Sequence, residues 1–219
     1  MPERRERGPV GASPVPGLTR DGTRRPSLAR LRAAAADCRA CELWKRGTQT
    51  VWGAGAAHAA LMLVGEQPGD EEDLSGKPFV GPAGRLLDRA LEAAAVDRRR
   101  VYVTNAVKHF NWRPVGKRRI HERPGARAIA ACRPWLLAEI EAVRPRVVVC
   151  MGATAARTVL GPDVRVTRDR GRPLASPIAP HVIATVHPSA VLRAPDEETR
   201  RLEMERFIAD LRAAARCAR

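Results

Sequence analysis

Four short apolar runs set the frame for this chain: "ALMLVG" (60–65), "VYVTNAV" (101–107), "RVVVCMG" (146–152) and "HVIATVHP" (181–188). Each has the length of a strand. Most are apolar at every position rather than at alternate ones, the pattern of strands covered on both faces. Between them lie helix-forming stretches over roughly 83–95, 126–143 and 153–160. A last helix opens at "PDEETRR", with Asp196 as N-cap and acids in the first turn to meet the helix dipole. Leu202, Phe207, Ile208 and Leu211 supply its expected buried side. Another helix is predicted from Ser27 along "SLARLRAAAADCRACELW", ending near "CRAC". Alternation of strand and helix predicts an α/β fold: a three-layer α/β/α sandwich with a central, mainly parallel four-stranded sheet. Ligands in such folds sit beyond the C-terminal ends of the strands.

At 219 residues the chain suits one domain. Residues 1–26, rich in Arg, Gly and Pro without apolar periodicity, read as a disordered basic tail, and 27–219 as the folded domain. Formal net charge is +15, and only four of the 39 basic residues are lysines. An Arg- and Ala-rich bias can reflect genomic base composition, which discounts the charge without cancelling it. What remains favours a polyanion partner through counterion release. No apolar run approaches the ~20 residues of a membrane span, and the N-terminal stretch lacks the hydrophobic core of a secretory signal. The expectation is a cytoplasmic monomer with no membrane partner. Its five cysteines (38, 41, 132, 150, 217) are then thiols or metal ligands rather than disulfides.

Chemistry-bearing residues gather where the strands end. "GEQPGDEEDLSGKPFVGPAG" (65–84) follows the first strand, with glycines that allow close backbone approach and Phe79 as an aromatic in a polar loop. Asn105 closes the second strand and "HPSAVLR" (187–193) the fourth. Such a set can recognise a planar base: Phe79 stacks, Asn105 hydrogen-bonds the edge and His187 contacts a carbonyl oxygen. Taken singly, a loop Phe is usually packing and a strand Asn a satisfied turn residue.

After Asn105 comes "KHFNWRPVGKRRIHERP", whose "GKRRIHERP" portion reads as a loop bracketed by Gly116 and Pro124. It is either a solvated basic loop touching phosphates or a device that keeps His121 neutral and nucleophilic. A unit charge about 6 Å away at an effective dielectric near 20 is worth roughly 3 kcal/mol, enough to favour the neutral ring. Bound phosphates, or a neighbouring carboxylate, would pull the other way. Cys38 and Cys41 form a CxxC at a helix end, a spacing that reaches one metal or one cluster, and zinc and iron–sulfur suit it equally.

"GEQPGDEEDLSGKPFVGPAG", "VYVTNAVKHF" and "HPSAVLR" resemble the motifs of the iron–sulfur uracil-DNA glycosylases, from about residue 27 to the C-terminus. "KHF" followed by "GKRRIHERP" is similar to the cross-linking, UdgX-type branch. The resemblance implies excision of uracil from DNA, including single-stranded DNA, with His121 left attached to C1′ of the deoxyribose. It implies that Phe79 stacks on a flipped uracil, that Asn105 reads its polar edge and that His187 stabilises charge on a uracil oxygen. Glu66, Gln67 and Asp70 match the polar cluster beside the sugar, with Gln67 also near the base, and Glu66 would orient His121. Lys117, Arg118, Arg119, Arg123, Ser189 and Arg193 would contact DNA. A 4Fe–4S cluster would take Cys38, Cys41, Cys132 and, where relatives carry a third cysteine, His109. The alternative fourth ligand is Cys150, whose place in a strand argues for burial. Two rival readings remain: a multiple-turnover glycosylase in which His121 only touches DNA, and a non-catalytic, metal-stabilised DNA-binding module.

Overall fold

The four apolar runs become four adjacent parallel strands. In the structure, a computed structural model, they are β2 (Leu61–Gly65), β3 (Val101–Asn105), β6 (Val147–Met151) and β8 (His181–Thr185), in the order β3-β2-β6-β8. Residues 27–219 are described, so the tail expected at 1–26 lies outside them. The sheet has six strands rather than four. Two-residue strands β1 (Ala54–Gly55) and β7 (Pro173–Leu174) add antiparallel edges against β3 and β8. They are too short to carry a readable pattern, and Pro173 suits an edge because it cannot donate to a ladder.

Why the runs are apolar at every position is visible in the packing. One set of alternate residues (Leu61, Leu63, Val101, Val103, Val147, Val149, Ile183) packs under α3 (Pro82–Ala93) and α8 (Glu197–Cys217). The other set (Met62, Val64, Tyr102, Val148, Cys150, Val182, Ala184) packs under α4 (Ala126–Val143) and α5 (Ala153–Leu160). These are the three layers expected. The caps also match their residues: Ser27 Oγ accepts from the Arg30 amide at 3.2 Å before α1 (Leu28–Ala36), and Asp196 Oδ1 from Thr199 at 2.7 Å before α8. Among the described residues no helix is long and apolar enough to cross a membrane.

The sequence reading of "GKRRIHERP" as a loop is corrected. Trp112–Val115 (β4) and Arg118–His121 (β5) form an antiparallel hairpin, pairing Trp112 with His121 and Val115 with Arg118. Gly116, at φ +58°, supplies the left-handed turn that a two-residue hairpin connection requires. A run of cations hides this strand from a pattern search. Three short helices also went unread: α2 (Asp70–Ser75), α6 (Val166–Asp169) and α7 (Pro188–Leu192).

Candidate active site

Chain order steps from β2 to β3 on one side and then crosses to β6 on the other, so the sheet reverses direction at β2. A crevice opens at such a point beyond the strand ends. Here it is a cleft of about 900 Å³ lined from all four strand ends: Glu66 after β2, Asn105 on β3, Gly152 after β6 and His187 after β8.

One end is built for a flat, polar ring. Phe79 is held at φ +59°, a costly conformation for a bulky residue, and α3 starts directly against it. A Cβ at Gly84 would lie 1.8 Å from the Phe79 carbonyl oxygen, so only glycine lets the helix approach. A Cβ at Gly65 would stand 2.4 Å from Asn105 Oδ1 and 2.7 Å from Phe79 Cζ, so this second glycine keeps the floor between them open. Asn105 Oδ1 is buried without a partner among the described residues, an acceptor left for a ligand donor. His187 caps α7, and its Nδ1 accepts from the Ser189 amide at 3.2 Å with Ser189 Oγ 2.7 Å away. That fixes the neutral tautomer with hydrogen on Nε2. Burial first, then Arg193 and His121, push the His187 pKa down to about 4, so it stays a neutral donor at physiological pH. Ser189, expected at DNA, is thus the residue that orients His187.

The other end is the hairpin. His121 Nε2 stands 3.6 Å from Glu66 Oε1, and its ring centroid 6.1 Å from that of Phe110. Glu66 Oε2 accepts from Thr154 Oγ1 at the start of α5, and Arg123 Nε lies 3.8 Å from it. The His121 pKa is lowered, the direction expected of nearby cations, but for a different reason. Burial is the leading cause, Glu66 opposes it, and the contributing cation is Arg193 rather than its neighbours in the run.

Two residues expected at the sugar or at DNA form bonds to the hairpin and its anchors. Gln67 Nε2 donates to the carbonyls of Asn111 (3.1 Å) and Glu122 (2.9 Å), clamping both feet of the hairpin, while its Oε1 accepts from the Asn111 amide. Arg119 is turned inward: Nε meets Asp70 Oδ1 at 2.5 Å and Nη1 meets Asp73 Oδ2 at 2.7 Å, with Phe110 and Trp112 rings each 5.5 Å from its guanidinium. Asp70 is therefore a hairpin anchor as well as a cleft residue. Lys117 and Arg118 make no ion pair among the described residues and face solvent at the hairpin turn. Asp73, Thr154 and Trp112 escaped the sequence reading. Thr154 alone left a signal, standing just past a strand end in "GATAA".

The sulfur-rich corner lies against α4. Cys132 Sγ accepts from the Lys108 amide and Cys38 Sγ from Trp135 Nε1, both at 3.3 Å, the donors a thiolate needs. Burial raises the Cys132 thiol to about 12, with Cys41 and Cys38 adding to it, so this sulfur ionises only beside a cation. His109 is buried with Nδ1 unpartnered, and its Nε2 lies 3.2 Å from Thr50 Oγ1. That hydroxyl donates to the Ala35 carbonyl at 2.8 Å, so it accepts from Nε2–H and leaves the Nδ1 lone pair available to a metal. Cys150 packs in the separate α4–α5 core cluster. No three His, Cys, Asp or Glu side chains among the described residues converge as they would on one ion. A four-iron cluster takes one ligand per iron, so its donors are spread.

Comparison with known proteins fits this geometry. Residues 52–212 match the model of the Uracil DNA glycosylase superfamily. The Type-4 uracil-DNA glycosylase of Thermotoga maritima is 41% identical over 169 residues, covering 77% of this chain and 84% of the relative. Its namesake from Archaeoglobus fulgidus is 37% identical over 165 residues, covering 72% and 79%.

Proposed function

The chain belongs to the uracil DNA glycosylase superfamily, and from that premise we propose that it excises uracil from DNA and then stays joined, through His121, to C1′ of the abasic deoxyribose. The observation that carries the second half is His121 Nε2 at 3.6 Å from Glu66 Oε1, on a hairpin held in place by Gln67 and Arg119. A neutral imidazole beside a carboxylate, at the mouth of a base pocket, occupies the place a glycosylase otherwise gives to water. The substrate includes single-stranded DNA, because an unpaired base leaves its stack at least cost.

Breaking the glycosidic bond sends its electron pair onto uracil and leaves a cationic sugar, so charge of both signs must be stabilised. Phe79 stacks on the extruded base. Asn105 Oδ1 accepts from a ring N–H, and His187 Nε2–H donates to a uracil oxygen as it becomes anionic. Glu66, oriented by Thr154, faces the cation. The His121 lone pair then forms the N–C1′ bond. The proton carried on the imidazole ends on uracil, and no water is consumed. Lys117, Arg118, Arg123 and Arg193 neutralise phosphates.

We infer a 4Fe–4S cluster on Cys38, Cys41, His109 and Cys132, supported by the buried, unpartnered His109 Nδ1 and the N–H···S donors. When bound, it supplies a cross-link between the end of α1, the exit from β3, and α4. The reaction does not pass through it.

Incubating the protein with a uracil-containing oligonucleotide is expected to release one uracil per protein and to give an adduct that survives heat and detergent. Many uracils per protein with no adduct would return the chain to the ordinary turnover reading. The base pocket has its own test. Gly65→Ala puts a methyl between Asn105 and Phe79, and should slow excision about a hundredfold, as a misplacement near 1 Å does. Affinity for a uracil-free oligonucleotide, measured by fluorescence anisotropy, should not change.

A further inference from the structure

Directly behind the base pocket, β3 runs into the metal-ligand segment "VKH", and Lys108 makes the join. Its side chain is 1% exposed and folds back toward the strand. Nζ donates to the Asn105 carbonyl and to Thr104 Oγ1, each at 2.7 Å, and makes a short contact with Glu139 Oε2 on α4. An ammonium has three donors, and all three are used. Glu139, fully buried, also accepts from Tyr102 OH and Thr104 Oγ1 at 2.8 Å and from the Gly53 amide at 3.1 Å. At the other end of the same residue, the Lys108 amide donates to Cys132 Sγ at 3.3 Å.

Stability alone does not explain a charged pair here, since well-packed apolar residues often replace such pairs without loss. Position does. Asn105 presents an unpartnered Oδ1 to the cleft, while its own carbonyl faces the interior and needs a donor. Lys108 satisfies that carbonyl and pins the main chain from which the carboxamide projects. Glu139 in turn fixes Lys108 to α4, the helix that carries Cys132.

We propose that Lys108, anchored by Glu139, is a positioning residue for uracil recognition: it sets the register of Asn105 against the base and ties that register to the metal-ligand corner. This rests on the uracil-excision reading above. Lys108→Met alone leaves Glu139 buried and unpaired, so the test uses Lys108→Met with Glu139→Gln, which removes both charges. The double variant is made in the wild-type and Asn105→Ala backgrounds. Iron content and near-UV circular dichroism report folding. Single-turnover uracil release from a single-stranded oligonucleotide, with protein in excess, reports the chemistry.

In the wild-type background the rate constant should fall about 10- to 100-fold, the usual cost of losing a partner behind a functional group. The amplitude and the affinity for uracil-free DNA should hold. In the Asn105→Ala background the same change should cost less than about twofold more, because the two act through one contact. Reduced amplitude at an unchanged rate, equal losses in both backgrounds, or failure of the double variant to fold would each assign the pair to folding and overturn the proposal. Wild-type protein that releases no uracil sinks the excision reading as well, and that is seen in the wild-type arm alone.

Discussion

His121→Ala is expected to abolish the denaturation-resistant adduct and to turn the protein into a multiple-turnover glycosylase. The groups proposed to hold the base come from other elements: Phe79 from the loop after β2, Asn105 from the end of β3, His187 from the cap of α7. None is held in place by the imidazole. The hairpin keeps its own fastenings, through Gln67, through Arg119 on Asp70 and Asp73, and through Trp112 Nε1 on the Arg46 carbonyl at 2.8 Å. The His121 side chain is 48% exposed, so truncation opens a solvent-filled space rather than a dry cavity. Water then reaches C1′ where the ring stood. A denaturing gel and a count of uracil per protein check both halves, and an undiminished adduct overturns the assignment. Capture by the intact protein needs the neutral ring. Because burial lowers the His121 pKa from its ordinary value, the acid limb of adduct yield should lie below the pH at which a free imidazole titrates, with full capture retained on the alkaline side.

Periodicity carried much of this molecule, and its limits are physical. The four parallel strands and the long helices are buried on defined faces, so burial wrote itself into the residues; helix α4 is predicted and found at 126–143. Strand β5 is the opposite case. Its pairing is held by register and by Arg119, not by an apolar face, and "RRIH" looks like loop until Asp70 and Asp73 are known to stand opposite. The sequence reading assigned Gln67 to the sugar and base and Arg119 to DNA; in the structure both side chains bond to the scaffold around the hairpin. A motif marks which residues matter and is silent on whether a side chain points at substrate or at its own scaffold. The cause of the His121 pKa shift was misread for the same reason. Cations adjacent in sequence are distributed to opposite faces of a strand, and the cation that acts on the ring is Arg193, across the cleft.

Glu66→Gln is expected to slow uracil release and adduct formation together, by about 10²–10³-fold, the scale for removing one charged partner of a transition state. The carboxylate is 20% exposed and faces His121, while Thr154 and Arg123 engage its other oxygen, so the amide fits with little rearrangement and mainly the charge is lost. Both products pass through the same sugar cation, so a group that stabilises it must govern both. The pH response separates this role from that of a base acting on water. Glu66 raises the His121 pKa, so its neutral replacement lets that pKa fall further, and the acid limb of adduct formation should move to lower pH even as the rate drops. A Gln variant that loses turnover with water in the His121→Ala background, yet captures DNA at full rate with His121 present, would assign Glu66 to water activation instead. In that case the sugar cation would have to be stabilised by the DNA phosphates alone, and the 3.6 Å approach of His121 to Glu66 would serve orientation only.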